Sequence, residues 1–323
     1  MRILRRVEWA RADHKAVGAL LCDCGDALIP IDHEFGDQHT ELKLSIVEKY
    51  LKFFTTALRG KFKELWYIDA FAGTGSRTVR HEERAAGLLD SGEPERIERR
   101  RGSARIAIDV KPPFDFIVFI ESKPSYVAAL QELAANYPNR RIAVVKDDAN
   151  DALKSLIAAN NWQSTRAVLF LDPYGMQLEW STLEKVAATK AIDIWFLFSL
   201  AGLYRQATRR LADIDEHKRA ALTRMFGSDA WEKELYPKTI REDLFDGISE
   251  EPRRRSANVA GLEAYAKSRL ETIFPAVLKP LPLPLHKKPQ RFSLFLCISN
   301  DDPKAIGLAT KIGNHILKAG SSS

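Results

Sequence analysis

The sequence predicts an α/β fold: a doubly wound parallel sheet carrying a helical insertion. Three observations predict it. Five short apolar runs, at 65–70, 116–120, 142–145, 168–171 and 194–198, are dense in Val, Ile, Leu, Phe and Trp without clean alternation, the pattern of strands covered on both faces. Helical stretches at 125–136, 150–159 and 181–188 lie between several of these runs, and strand–helix alternation implies parallel neighbours joined by crossovers. A glycine-rich turn follows the first run, at the end of a strand where sheets of this kind bind ligands.

Taken in order, residues 1–39 read as an N-terminal extension. Arg2, Arg5 and Arg6 precede the apolar stretch 16–22, but Glu8, Arg11, Asp13, His14 and Lys15 intervene; a secretory signal needs its apolar region close behind the basic residues. The first element is a helix over 40–58, where Leu42, Ile46, Val47, Tyr50, Leu51 and Phe54 recur at three- and four-residue spacing and form one apolar stripe. After the first strand and its glycine turn, the Arg- and Glu-rich stretch 92–105 reads as a solvated loop, inserted between the first crossover helix and the second strand. Beyond the fifth strand, residues 201–274 read as a helical insertion, with helices at 216–226, 229–235 and 257–273. Pro280, Pro282 and Pro284 confine the stretch 276–285 to a sheet edge, because proline donates no ladder hydrogen bond. A basic turn at 287–290, a strong strand at 292–299 and a helix at 303–317 close the chain. The sheet domain is therefore expected to comprise 40–200 and 275–323.

Composition bounds the class. The 323 residues are 45% hydrophobic and 28% charged, ordinary values for a globular protein with a sizeable core. No apolar run approaches ~18 residues, so no membrane-spanning helix is expected. Forty-nine Lys and Arg against 43 Asp and Glu leave a net charge of +6, compatible with a polyanionic partner without requiring one. Cys22, Cys24 and Cys297 are too few for a disulfide framework, and a lone C-x-C pair lacks the four ligands of a structural zinc site. A reducing, cytoplasmic setting without a metal is the expectation.

The most informative stretch is Trp66-Tyr67-Ile68-Asp69-Ala70-Phe71-Ala72-Gly73-Thr74-Gly75. A buried strand ends in a carboxylate, and glycines then let the backbone turn tightly and approach a ligand. A dinucleotide fingerprint wants a third glycine where Thr78 stands, and Asp69 sits unfavourably beside a pyrophosphate. A P-loop fails for want of Gly-Lys-Ser/Thr. S-adenosylmethionine (SAM) carries no phosphate but an ammonium and a sulfonium, which an acid beside the glycines suits. The second strand ends in Glu121, where a carboxylate accepts from ribose hydroxyls. The third ends in Asp147 and Asp148, either an acceptor for an adenine amine or a helix N-cap. The spacing from Gly73 to Glu121 exceeds the usual ~20 residues, which is why an insertion is expected there.

The fourth strand ends in Asp172-Pro173-Tyr174-Gly175. A carboxylate and a carbonyl at this place would hold an exocyclic amine, and an aromatic ring would stack on a base. The same residues also make a plain β-turn.

These residues resemble the class I SAM-dependent methyltransferases over about 40–200 and again at the final strand pair. Asp69 through Gly75, with Phe71, Gly73 and Gly75, is similar to their first motif in its Phe-Ala-Gly-x-Gly form; Glu121 matches the ribose acid and Asp148 the adenine-side acid. The resemblance implies a Rossmann-like sheet, mostly parallel, whose last strand is antiparallel and lies between the fifth strand and the edge. It also implies catalytic roles for Asp172, Pro173 and Tyr174, although one proline precedes Tyr174 where nucleic-acid amino methyltransferases typically have two. More narrowly, Leu42-Lys43 through Tyr50-Leu51, Tyr67 through Gly73, and Leu171 through Gly175 with Trp180 resemble the three-Cys-motif partner proteins, TcmP. That resemblance implies a bacterial methyltransferase-like protein acting beside a three-cysteine protein that resembles radical-SAM enzymes.

Two functions follow as expectations: a SAM-dependent methyltransferase modifying a nucleic acid, or a SAM-binding scaffold acting through the three-Cys-motif partner. A nicotinamide-dependent oxidoreductase is the weaker third. For a nucleic-acid substrate the backbone footprint is expected at Arg205, Arg209, Arg210, Arg253, Arg254, Arg255, Lys287, Lys288 and Arg291. The competing reading makes these solvated faces and turns.

Overall fold

The computed structural model describes residues 33–34, 38–81, 96–238, 240–243, 247–250, 252–285 and 289–321. The expected extension lies almost wholly outside these residues, as do Lys287 and Lys288. The chain runs β1 (His33–Glu34), α1 (Gln38–Leu58), β2 (Glu64–Asp69), β3 (Ser76–His81), β4 (Arg96–Arg101), α2 (Ser103–Asp109), β5 (Phe116–Glu121), α3 (Pro124–Ala135), β6 (Ile142–Lys146) and α4 (Ala149–Ala159). There follow β7 (Thr165–Leu171), α5 (Trp180–Ala188), β8 (Ile192–Ser199), α6 (Leu200–Gln206), α7 (Glu216–Phe226), α8 (Ala230–Leu235), β9 (Ile240–Asp243), β10 (Gly247–Glu250) and α9 (Val259–Glu271). The last elements are β11 (Ala276–Val277), β12 (Leu281–Leu283), β13 (Phe292–Ile298) and α10 (Pro303–Ser321).

The main sheet has the order β11-β13-β8-β7-β2-β5-β6, with β12 also on β13. The five expected strands β2, β5, β6, β7 and β8 are mutually parallel, and β13 runs antiparallel to β8. Strand order reverses on either side of β2, which makes its C-terminal end the topological switch point. The fold is thus the doubly wound sheet with an antiparallel last strand. The proline-bearing segment forms the edge pieces β11 and β12, as the missing donors require.

Alternation along β2 divides two cores. Leu65 and Tyr67 join a cluster with Tyr50 and Phe54 of α1 and Ile316 of α10, whereas Trp66 and Ile68 face the cluster holding α5 and the insertion, as a period of two dictates. On the α1 side, the Tyr50 hydroxyl donates to Asp193 at 2.9 Å and its ring meets Trp195 edge-on at 5.3 Å. On the other face Leu222, Phe226, Trp231 and Leu262 extend the core of the sheet without a break, so residues 201–274 share that core. The described residues of this stretch hold α6 to α9, joined by irregular segments, and an antiparallel ribbon of β9 and β10, strands with too few apolar residues to signal themselves.

One expectation needs correction. The glycine turn does not lead directly into a helix, and the Arg-rich stretch is not simply a loop beyond that helix. β3 and β4 pair antiparallel from Ser76↔Arg101 to His81↔Arg96, ahead of α2. The amide of Gly102 donates to the carbonyl of Gly75 at 3.0 Å, so the excursion leaves and rejoins the turn at one place. β1 adds to β3 in parallel. Among the described residues, no helix is long and apolar enough to cross a membrane.

Candidate functional site

The site grows from the end of β2. Asp69 is fully buried; it accepts from the Phe71 amide and the Tyr67 hydroxyl, each at 3.3 Å. Burial pushes its carboxyl up to about 7; hydrogen bonds from Ser103 and Phe71 oppose the rise, and the charge of Asp172 adds to it. Asp69 therefore braces the turn from beneath. Gly73 and Gly75 both have positive φ, +61° and +75°, a conformation that costs any residue with a β-carbon. At Gly75 the missing Cβ would also lie 2.6 Å from Leu133 of α3. Glu121 at the end of β5 closes the turn from the side: its Oε2 accepts from the Gly73 amide at 3.0 Å, and its Oε1 from the Lys123 amide at 2.9 Å.

Beside this turn opens a cavity of about 650 Å³, within the range that holds a nucleoside-sized ligand. Phe71, Glu121, Asp148 and Tyr174 line it; Asp69, Gly73, Gly75, Asp172 and Pro173 lie outside the lining. Asp148 also caps α4, its Oδ1 accepting from the amides of Asn150 at 2.8 Å and Asp151 at 3.3 Å. Asn150, itself buried, accepts from the Glu179 amide at 2.9 Å and donates to the Gln177 carbonyl at 3.1 Å, which fixes the far wall. The wall carries the carboxylates of Glu121, Asp147, Asp148 and Asp151 against the cations Lys123 and Arg224, with a fifth carboxylate, Glu179, already paired with Lys154 at 2.5 Å. Such a field repels polyphosphate and favours a ligand bearing positive charge. Each Glu121 oxygen retains an unused lone pair for a hydroxyl. The residues present therefore fit SAM better than a dinucleotide.

Sequence reading missed Lys43. Its ammonium, on the buried face of α1, pairs with Asp172 across 129 positions and lies 5.8 Å from the Phe170 ring centroid. A signal existed: Lys43 stands three residues before Ile46 and seven before Tyr50, a charge within the apolar stripe. Tyr174 is 54% exposed at the rim, and partial burial with neighbouring Tyr126, Glu121 and Asp172 pushes its phenol up to about 12. The expected basic footprint splits. Arg210 is held by Asp213 at 2.8 Å, and Arg253 donates to the carbonyls of Tyr236 and Glu232, each at 2.9 Å; Arg205, Arg209 and Arg254 are exposed.

No family model matches this chain, and no curated protein matches it. Among solved structures it is similar to protein LPL1258 from Legionella pneumophila, described under the family model DUF519, with 13% identity, 88% of this chain and 95% of that one covered, and a TM-score of 0.43. It is also similar to human methyltransferase-like protein 13 in complex with SAH, with 11% identity, coverage of 86% and 92%, and a TM-score of 0.38. A SAM-dependent methyltransferase from Clostridium acetobutylicum aligns with 9% identity, coverage of 78% and 91%, and a TM-score of 0.32. The fold of this chain rests on the strand order and register of its own sheet.

Proposed function

We propose that this protein is a SAM-dependent methyltransferase acting on an exocyclic amine of a nucleic acid. The observation that carries the reading is the carboxylate-lined cavity at the switch point, where Glu121 and Asp148 converge from the ends of adjacent parallel strands beside the positive-φ glycine turn. Glu121 is assigned the ribose hydroxyls, Asp148 and its neighbours the adenine side, and Phe71 an apolar wall. When bound, SAM supplies a methyl group on a positively charged sulfur, transferable to a nitrogen lone pair with loss of one proton from that nitrogen and release of a neutral thioether. Asp172 and the Pro173 carbonyl accept from the amine and orient its lone pair, and Tyr174 stacks on the base.

Calorimetric titration with SAM tests the cofactor half: saturable one-site binding is expected, weakened in Glu121→Ala, and absence of heat in the wild type removes the reading. Labelled SAM with total cellular RNA and DNA tests the transfer half. A second reading makes the chain a SAM-binding scaffold of the TcmP type, working with a three-Cys-motif protein. The Lys43–Asp172 ion pair favours it, since that carboxylate already has a partner. Co-purification of a stoichiometric, activity-changing complex would select this alternative.

A further inference from the structure

Two tyrosines stand out among the described residues for exposure: Tyr174, 54% exposed, and Tyr204, 49% exposed. They follow adjacent parallel strands, β7 and β8, and so lie on the same edge of the sheet as the cavity. α6, which bears Tyr204, abuts the Tyr174 loop: a Cβ on Gly202 would sit 3.6 Å from Met176. The Arg255 guanidinium lies 4.4 Å from the Tyr204 ring centroid. Backbone pairing brings two distant basic segments together there, through Arg255 N to Arg209 O at 2.8 Å and the bridge Arg210↔Arg254. Arg205, Arg209 and Arg254 are exposed and make no ion pair among the described residues.

We infer that this ridge is a track for single-stranded nucleic acid, with Tyr204 a stacking platform for a nucleotide flanking the one presented at Tyr174. The inference rests on the methyltransferase reading for its substrate class. The physical argument is charge segregation. The cavity wall is acidic and repels phosphates, so a backbone must run outside it, and the adjacent ridge presents Arg205, Arg209 and Arg254 exposed with no ion pair among the described residues, Arg210 beside them being paired with Asp213. A ring with a guanidinium against it and about half its surface open offers a face to an unpaired base, the arrangement used by single-strand binders. Bases inside a duplex are already stacked and cannot use it.

Anisotropy of fluorescein-labelled 12-mers, as single-stranded RNA, single-stranded DNA and duplex, tests the track. Single strands are expected to bind more tightly than duplex. Tyr204→Ala should weaken them roughly tenfold, whereas Tyr204→Phe, which keeps the ring, should bind as the wild type does. The surface double variant Arg209→Ala/Arg254→Ala should reduce the slope of log affinity against log salt by about 1.4, two phosphate contacts' worth. Wild-type affinity in both Tyr204→Ala and the arginine variant, or preference for duplex, overturns the inference. SAM titration of the same samples separates the two claims: oligonucleotide binding without SAM binding sinks the methyltransferase reading and leaves the track standing, while the reverse sinks the track alone.

Discussion

Asp69 is where a single residue's environment matters most. Its folded carboxyl titrates near 7 against an ordinary 3.8, chiefly because it is buried. A raised carboxyl favours the protonated form in the folded state. Its contribution to stability is therefore full below the ordinary value and is lost as pH rises from about 4 through about 7. Asp69→Asn removes that penalty, on the order of a few kcal/mol, so the variant should gain stability relative to wild type at pH 8 and not at pH 4. Urea midpoints at the two pH values check this; a constant difference would show that Asp69 is not a buried acid. Lys43 poses the complementary case, since its side chain is 9% exposed and that of Asp172 31%. Removing only Asp172 strands a buried ammonium, and after discounting for the partly exposed partner the cost is roughly 2 kcal/mol. Lys43→Met/Asp172→Ala should recover most of that loss, and strict additivity in the double-mutant cycle would contradict the pairing. Any loss of transfer in Asp172→Ala must accordingly be compared with the double variant, because the single change strands Lys43 and alters the chemistry together.

At the scale of elements, the β3–β4 excursion is the least expected feature. Its backbone pairs in one antiparallel register from Ser76↔Arg101 to His81↔Arg96, closed at the glycine turn. Because Gly102 donates directly to Gly75, residues 76–101 can be replaced by a short glycine linker without moving either end. The shortened protein should unfold within about 1 kcal/mol of the wild type, as expected for a segment closed at its base. Collapse of the fold would show that the ribbon stabilises the turn. Physical signals of unequal strength explain why this ribbon went unread while the central strands did not. Runs such as Phe116-Ile117-Val118-Phe119-Ile120 must be covered on both faces and announce it; Arg96-Ile97-Glu98-Arg99-Arg100-Arg101 carries one apolar residue and looks solvated. The same holds within the site. That Glu121 and Asp148 share one crevice was legible, because strand ends can be located from local pattern. The Lys43–Asp172 pair was not, because no local window contains two residues 129 apart.

For the whole molecule, the acidic cavity and the basic ridge lie on one edge of a sheet whose two cores hold that edge in place. A ligand that engages the native cavity and not the unfolded chain must raise the stability of the entire domain, since Glu121 ends strand β5, Gly73 is bonded to its carboxylate and Asp148 caps α4 directly after β6. At a hundredfold excess over Kd the gain is about 2.7 kcal/mol, roughly a 5 °C rise in midpoint for a domain of this size. SAM and SAH should both produce it. NAD should produce none, because its pyrophosphate would meet the carboxylates of Glu121, Asp147 and Asp148. Glu121→Gln offers the sharper comparison. It keeps the shape and the acceptor for the Gly73 amide but removes a negative charge and turns an NH2 group toward the Lys123 amide, so the ligand-free midpoint should fall by a few degrees, as expected for about 1–2 kcal/mol lost at an unsatisfied donor, and the rise produced by SAM, measured from that lowered midpoint, should also shrink. Differential scanning fluorimetry across a SAM concentration series decides it: a wild-type midpoint independent of SAM, or one raised equally by NAD, would show that this cavity is not built for a cationic nucleoside.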